Sequence, residues 1–291
     1  MLKLVTIDNP RNVLYPFSKD WYDNPLIVYH GTSSVYSESI EKNGWQMNGQ
    51  TYDTKDFQKI CEFFEDIGWD GTPKNSGHSI LRSFSLGGED DYVNAKPVSF
   101  SQIYWTSRNY SRHVGGESIQ ALFLAIEDIL NIYENKQLQD EHRKSIEDEL
   151  TKLLDMQNKC KNPETLNHGI NQYKRFLENF STDFLNNGKN VATELYKKYE
   201  YIKKIHFPIV YVVKVEPAWF EDVMYVGDDF DFKELEIRAK IDIPHSSIIA
   251  RIDFINGMDY MDIPSGTYPV LWEKEEWNKC CIERRTPNFR I

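Results

Sequence analysis

Two short apolar segments rich in β-branched residues constrain the fold of this chain most. Residues 206–215 form the longer run and residues 25–32 the shorter one, which Gly31 interrupts. Segments of this length and composition are typical of strands buried in a sheet. Between them, residues 117–205 have mainly helical periodicity. Strands on both sides of a helical block favour an α+β fold over a regular alternation of strands and helices.

Periodicity and capping signals predict the remaining elements. Residues 234–243 alternate between apolar and polar side chains, which indicates a half-buried strand that ends at Pro244. Gly44 is expected to end an early helix. Further strands are expected over residues 98–106 and 246–254, helices over residues 35–43, 56–67, 119–130, 137–160 and 169–204, and a loop over residues 221–233.

Composition and charge exclude several classes of function. The 291 residues contain 34 Lys+Arg and 45 Asp+Glu, which gives a formal net charge of −11. This balance argues against a broad phosphate-binding surface but leaves room for a local basic groove. The four cysteines show no CxxC spacing, so we expect neither a metal site nor a disulfide framework. No apolar run approaches the roughly 20 residues of a membrane span, and the start does not resemble a signal peptide, so we expect a cytoplasmic protein.

The helical block carries many lysines, among them Lys197, Lys198, Lys203 and Lys204. Solvated helix faces are the favoured interpretation of such a charge run. A patch that faces a polyanion is the alternative.

Polar residues at three strand ends are the best candidates for chemistry, since the common nucleotide, metal and hydrolase motifs are missing. His30 and Thr32 follow the first strand, with Gly31 between them to let a ligand approach the backbone. Tyr104 lies near the end of the second strand, and Glu236 near the start of the third. A structural histidine and a surface carboxylate paired with a neighbouring cation are the alternatives for residues 30 and 236.

A histidine, an aromatic platform and a carboxylate suit the cleavage of the bond between nicotinamide and ribose in NAD⁺. A flat ring holds the leaving nicotinamide, and backbone amides fix its carboxamide. A carboxylate stabilises the oxocarbenium-like transition state, as it does in glycoside cleavage.

Residues 29–44, 100–110 and 236–248 resemble, in this order, the three motifs of the ADP-ribosyltransferase superfamily in its His-Tyr-Glu branch. That branch includes diphtheria-toxin-like enzymes and poly(ADP-ribose) polymerases. The spacing from Glu236 to Pro244 resembles that of bacterial DNA-modifying toxins. The resemblance implies one domain over residues 1–291, with a split β-sheet core and a helical insertion at about residues 117–205.

The resemblance also implies roles for individual residues and no metal. His30 would bind the adenosine ribose, Gly31 the nicotinamide amide, and Glu236 the 2′-hydroxyl of the nicotinamide ribose and the acceptor. Tyr104 would stack on nicotinamide, and either Tyr110 or His113 would supply the second aromatic ring. The residues expected to be catalytic are Glu236, His30 and Tyr104. Those expected to bind the cofactor NAD⁺ are His30, Gly31, Thr32, Tyr104, Ser107 and Tyr110, and those expected to bind the acceptor are Phe230, Phe232 and Glu234. Glu234 together with Glu236 also imitates the ExE motif of the Arg-Ser-Glu branch.

The acceptor implied by the resemblance is RNA or single-stranded DNA, because aromatic side chains of the loop before Glu234 would stack on an unpaired base. The protein would then be a bacterial or phage-defence toxin, and an antitoxin protein would be its partner. A protein acceptor, hydrolysis of NAD⁺ by water and a non-catalytic binding module remain alternatives. No membrane partner is expected.

Overall fold

A computed structural model describes residues 3–6, 27–46, 52–69, 98–101, 104–215, 220–226, 234–239 and 242–255. The chain divides into two compact units. The first comprises Met1–Gln50, Glu89–Glu117 and Ile202–Ile291, and the second comprises Thr51–Gly88 and Ser118–Tyr201. The described strands all belong to the first unit, whereas the described part of the second unit is helical.

The strands form a single seven-stranded sheet within the described residues, in the order β1-β7-β4-β2-β3-β6-β5. Only β1 and β7 run parallel; the other neighbours are antiparallel, so the fold is α+β as predicted. The strands are β1 (Lys3–Thr6), β2 (Ile27–Ser33), β3 (Val98–Ser101), β4 (Pro208–Lys214), β5 (Phe220–Val226), β6 (Glu234–Ala239) and β7 (Ile248–Asp253).

The two central strands are joined much more extensively than the next pair. β2 and β4 are paired from Ile27 opposite Lys214 to Ser33 opposite Pro208. β2 and β3, in contrast, share one register pair, Tyr29 with Ser101. The sheet implied by the resemblance is split in two, whereas here β1-β7-β4-β2 and β3-β6-β5 stay joined by that pair. Within the described residues, β2 and β3 therefore share fewer paired positions than any other neighbouring strands of the sheet.

Apolar residues of β2 and β4 form the core of the first unit, as their composition predicts. Val28 and Val213 are fully buried, and Trp45 packs against the same cluster. The backbone of Trp45 exchanges two hydrogen bonds with Ile243. Gly44, which ends the preceding helix, has a φ of 75°, and a Cβ there would lie 1.9 Å from the Ile243 carbonyl oxygen. Only glycine therefore fits this turn.

Seven α-helices occur within the described residues, and they confirm most of the helices predicted from sequence. The predicted segment 169–204 is two helices, because Phe180 leaves the helical conformation and Ser181 Oγ accepts a hydrogen bond from the Phe184 backbone amide, which caps the second one. The helices are α1 (Ser37–Asn43), α2 (Thr54–Asp66), α3 (Tyr104–Tyr110), α4 (Gly116–Glu134), α5 (Lys136–Lys159), α6 (Asn167–Asn179) and α7 (Thr182–Ile205), with 3₁₀ turns at Ser34–Tyr36, Pro163–Leu166 and His245–Ser247.

The secondary structure predicted for two further segments, residues 98–106 and 221–233, was wrong in part. The strand expected over residues 98–106 ends at Ser101, and Tyr104 begins α3. The aromatic and β-branched composition favoured a strand, but the segment packs on β2 as a helix. The loop expected over residues 221–233 begins as strand β5, whose backbone pairs with β6; residues 227–233 lie outside the described residues. No helix that the structure describes is long and apolar enough to cross a membrane.

The second unit contains an ion pair between α2 and α7, in which the carboxylate is buried and the lysine is half-exposed. Lys198 Nζ donates a hydrogen bond to Asp56 Oδ2 at 2.6 Å, and Tyr199 Oη donates to the same oxygen at 2.8 Å. Burial alone would raise the pKa of Asp56, but these hydrogen bonds outweigh it and hold the pKa below its ordinary value. The ionised carboxylate therefore joins the two helices.

Replacing Asp56 by Asn should destabilise the fold by about 1–3 kcal/mol near neutral pH, a moderate value because Lys198 keeps about half of its side chain in water. A carboxyl whose pKa is lowered by folding stabilises the fold above its unfolded pKa of about 4 and loses that contribution as the pH falls through the folded value. Urea unfolding should therefore show the difference between wild type and variant shrinking below about pH 4.

The control is Asp140→Asn in α5, which removes an ion pair with Lys136 whose two side chains are 60% and 77% exposed. It should change the free energy of unfolding by less than about 0.5 kcal/mol. An equal effect of the two substitutions would show that Asp56 contributes no more than a surface charge.

Candidate functional site

A cleft of about 280 Å³ lies in the first unit, where β2 and β3 meet. Its volume is close to the lower limit of small-molecule sites, which is roughly 300 Å³. The lining residues come from two strands, from α3, from the turn that follows it and from the first residues of α4. They are His30, Gly31 and Thr32 of β2, Ser99, Phe100 and Ser101 of β3, Thr106, Ser107 and Tyr110 of α3, then His113, Gly116 and Glu117.

The hydrogen bonding of His30 fixes what its ring can offer a ligand. Nδ1 lies 2.9 Å from the Ser99 carbonyl oxygen, which can only accept, so Nδ1 carries the proton. Burial lowers the pKa of His30, and the bond to Ser99 opposes this only in part. The ring is therefore neutral near neutral pH, and Nε2 is an acceptor. Trp45 and Phe100 pack edge-to-face against it, with ring centres 5.2 and 5.5 Å away.

Gly31 permits helix α3 to lie directly on strand β2. A Cβ at this position would be 1.7 Å from the Ser107 carbonyl oxygen and 2.8 Å from the Ser111 backbone nitrogen. Such distances leave no room for a side chain. The close contact places Ser107 and Tyr110, one helical turn apart, at the cleft.

The structure brings Tyr110, and not Tyr104, to the cleft. Tyr104 is 2% exposed, and its ring packs edge-to-face on Tyr29 with centres 5.7 Å apart. Burial raises the pKa of its phenol. Tyr110 is 48% exposed and lines the cleft, and His113 packs against it with ring centres 5.8 Å apart. An accessible aromatic face is thus offered by Tyr110.

Two glycines and two hydrogen bonds shape the turn that connects α3 and α4. Gly115 and Gly116 have φ values of 70° and 79°, in the left-handed region that favours glycine. Tyr36 Oη donates a hydrogen bond to the Gly115 carbonyl oxygen, and the Gly116 amide donates to the His113 carbonyl oxygen at 2.9 Å. These bonds define where α4 begins, and Glu117 is its second residue.

Glu117 is a cleft residue that the sequence analysis missed. It lies in the first turn of α4, and the protein packed around its carboxyl raises its pKa by desolvation, although the residue as a whole is exposed. A carboxylate directly after a double-glycine turn, a few residues beyond Tyr110, was the available signal. Ser99 and Thr106 also line the cleft, although the sequence analysis did not predict that they bind NAD⁺. His113 lines it too, and was predicted only as an alternative to Tyr110.

The predicted catalytic Glu236 lies on the strand next to the cleft. β6 pairs with β3, and Glu236 occupies the register position opposite Ser101, itself a cleft residue. Glu234 is two positions away, opposite Val226 of β5. Phe230 and Phe232 lie outside the described residues. Within the part of the chain that the structure describes, no group of three or more His, Cys, Asp or Glu side chains could hold a metal ion.

Replacing Gly31 by Ala should displace α3 from β2, because the added methyl group would overlap the Ser107 carbonyl group. We expect a loss of about 1–3 kcal/mol in the free energy of unfolding. As a control, Gly169→Ala in α6 meets its nearest atom at 3.4 Å, and alanine favours the helix by about 1 kcal/mol. Denaturant unfolding of both variants checks this: a neutral Gly31→Ala would mean that the close contact is not needed.

Comparisons of the chain with models of protein families, with curated proteins and with solved structures find no match. The function is therefore argued from the chemistry of the cleft. That chemistry consists of a neutral histidine, several hydroxyl groups, an exposed aromatic ring and a carboxylate.

Proposed function

We propose that this protein is an ADP-ribosyltransferase of the His-Tyr-Glu branch that transfers ADP-ribose from NAD⁺ to RNA or single-stranded DNA. One observation carries the proposal. Residues of the first two resembling segments, 29–44 and 100–110, line one cleft, and the third segment contributes the adjacent strand β6. Three segments far apart in sequence thus lie next to each other in the sheet.

The cleft residues fit the nicotinamide nucleoside of NAD⁺. The nicotinamide ring carries a positive charge, which favours stacking on an aromatic face such as that of Tyr110. Its carboxamide needs a donor and an acceptor, which the Ser107 hydroxyl and the backbone of Gly31 can provide. Nε2 of His30 is an acceptor, and the resemblance assigns it to a hydroxyl of the adenosine ribose at the other end of NAD⁺. The cofactor-binding residues that we propose are therefore His30, Gly31, Thr32, Ser107 and Tyr110.

The reaction needs a carboxylate near the ribose. As the bond from C1′ to the ring nitrogen breaks, its electron pair neutralises the nicotinamide, and positive charge develops on the ribose. We assign the stabilisation of that charge to Glu236, because its register position opposite Ser101 is next to the cleft. An anion that acts on developing charge lowers the barrier without tightening the binding of NAD⁺ in the ground state.

The acceptor is proposed from the resemblance and from the aromatic residues Phe230 and Phe232, which stand just before Glu234. Aromatic side chains stack on unpaired bases of any sequence. A toxin that acts in the cytoplasm and is neutralised by an antitoxin protein would fit this activity.

The test is incubation with NAD⁺ labelled on its adenylate, in the presence of separate pools of RNA, single-stranded DNA and protein. We expect label in a nucleic-acid pool. Label in protein alone would identify a protein acceptor, and free ADP-ribose alone would identify a hydrolase. If calorimetry shows that NAD⁺ binds but the protein does not consume it, the protein is a non-catalytic binding module. If NAD⁺ does not bind at all, the proposal is wrong.

Replacing Glu236 by Gln should abolish transfer while leaving the dissociation constant of NAD⁺ largely unchanged, because the carboxylate acts in the transition state. Glu234→Gln, two positions away in the same strand, is the comparison. It should lose less transfer than Glu236→Gln, because Glu234 is expected to contact the acceptor and not the ribose. If Glu234→Gln proves the more damaging change, the catalytic assignment is wrong.

Replacing Tyr110 by Ala should weaken NAD⁺ binding by about 1–3 kcal/mol, the scale of base stacking on an aromatic ring. Tyr110→Phe should bind nearly as well as the wild type, since the ring face is kept. Calorimetric titration with NAD⁺ measures both. Tyr104→Phe, at the buried tyrosine, is the control and should leave binding unchanged; a loss there instead would restore Tyr104 as the stacking residue.

A further inference from the structure

We infer that Glu117 is the general base that takes the proton from the acceptor during ADP-ribose transfer. This inference rests on the proposed function and deepens it, because it separates two roles that the resemblance gives to Glu236 alone. Glu236 retains the role of stabilising the positive charge that develops on the ribose. Glu117 removes the proton of the incoming nucleophile.

The first support is the position of Glu117 in the cleft. It lines the same cavity as Tyr110, the proposed platform for nicotinamide, and His30, the proposed ribose ligand. Of the cleft residues whose side chains the structure describes, Glu117 is the only one with a carboxyl group. A base must come within hydrogen-bond reach of the proton that it abstracts, and a position on the cleft wall gives the Glu117 side chain access to a bound acceptor.

The second support is the hydrogen-bonded turn that presents Glu117. The left-handed glycines before it, together with the hydrogen bond from Tyr36 to Gly115, define where α4 begins. A catalytic group needs such a fixed support to keep its geometry.

The chemistry of the step balances with the groups on the page and NAD⁺. A lone pair of the acceptor oxygen or nitrogen forms the new bond to C1′, and the bond to nicotinamide breaks with its electrons left on the ring. The acceptor proton moves to the carboxylate of Glu117. Desolvation raises the pKa of this carboxyl, which brings a base closer to the pH at which it works.

The other titratable groups at the cleft are less suited to this role. Nδ1 of His30 carries a proton and donates it in a hydrogen bond to the Ser99 carbonyl oxygen, and Nε2 is assigned to the ribose. Burial lowers the pKa of His113, as the positive charge of Arg112 also does, which makes it a weaker base. Tyr110 lines the cleft and Tyr36 contacts the turn, and both present phenols, which are protonated near neutral pH.

The experiment compares Glu117→Gln with Glu38→Gln, a control that also lies in the first turn of a helix of the first unit but does not line the cleft. NAD⁺ affinity, melting temperature and transfer to the nucleic-acid pool labelled by the wild type are measured for each. We expect Glu117→Gln to slow transfer by about 10²–10⁴-fold, the usual contribution of a general base, with affinity and melting temperature unchanged. Glu38→Gln should behave as the wild type.

The pH profile separates a base from a structural residue. Transfer by the wild type should rise with pH as Glu117 ionises, and this acid limb should be missing in Glu117→Gln. In Glu117→Ala, added formate should restore part of the rate by replacing the missing carboxylate. A structural role would respond to neither change.

Three results would overturn the inference. They are a Glu117→Gln variant that transfers at the wild-type rate, one that keeps the acid limb, and one whose loss of transfer follows a loss of NAD⁺ affinity. In each of these cases an active wild type leaves the proposed function intact. A wild-type protein that neither binds nor consumes NAD⁺ overturns both together, so the two failures are distinguishable.

Discussion

The cleft depends on the close contact between helix α3 and strand β2 at Gly31. Because that residue has no side chain, the Ser107 carbonyl group can approach the strand backbone to a distance that a Cβ would forbid. The contact determines which residues of α3 reach the cavity and which are buried. Ser107 and Tyr110 reach it, whereas Tyr104 packs on Tyr29. Both the cavity and its aromatic wall therefore follow from one glycine.

The electrostatic character of the cleft favours a nucleoside over a bare phosphate. No lysine or arginine occurs among the described residues that line it, and Glu117 contributes a negative charge when ionised. His30 is neutral and offers an acceptor. Acceptors of this kind suit sugar hydroxyls, and an aromatic ring beside a carboxylate suits a cationic ring. These properties agree with a site for the nicotinamide half of NAD⁺.

Strand β4, on the other side of β2 from β3, contributes Tyr211 to a network of polar side chains. Tyr211 stands opposite His30 in β4, and its hydroxyl donates a hydrogen bond to Glu41. Arg251 binds Glu41 and also donates to Asp253 at 2.7 Å. Burial and the nearby Glu41 carboxylate raise the pKa of Tyr211, so its phenol stays a donor. The network gives partners to charged groups that would otherwise be costly to bury beside the central strands.

The sequence by itself determined the class of the fold, the two central strands, most helices and the glycine stop at residue 44, because these follow from local periodicity and backbone geometry. It also identified residues 30–32, Ser107 and Tyr110 as lining candidates. Only the tertiary structure decided that residues 104–110 form a helix, that Tyr110 and not Tyr104 is exposed, and that Glu117 joins the cleft. These features depend on contacts between segments distant in sequence, which local propensity does not encode.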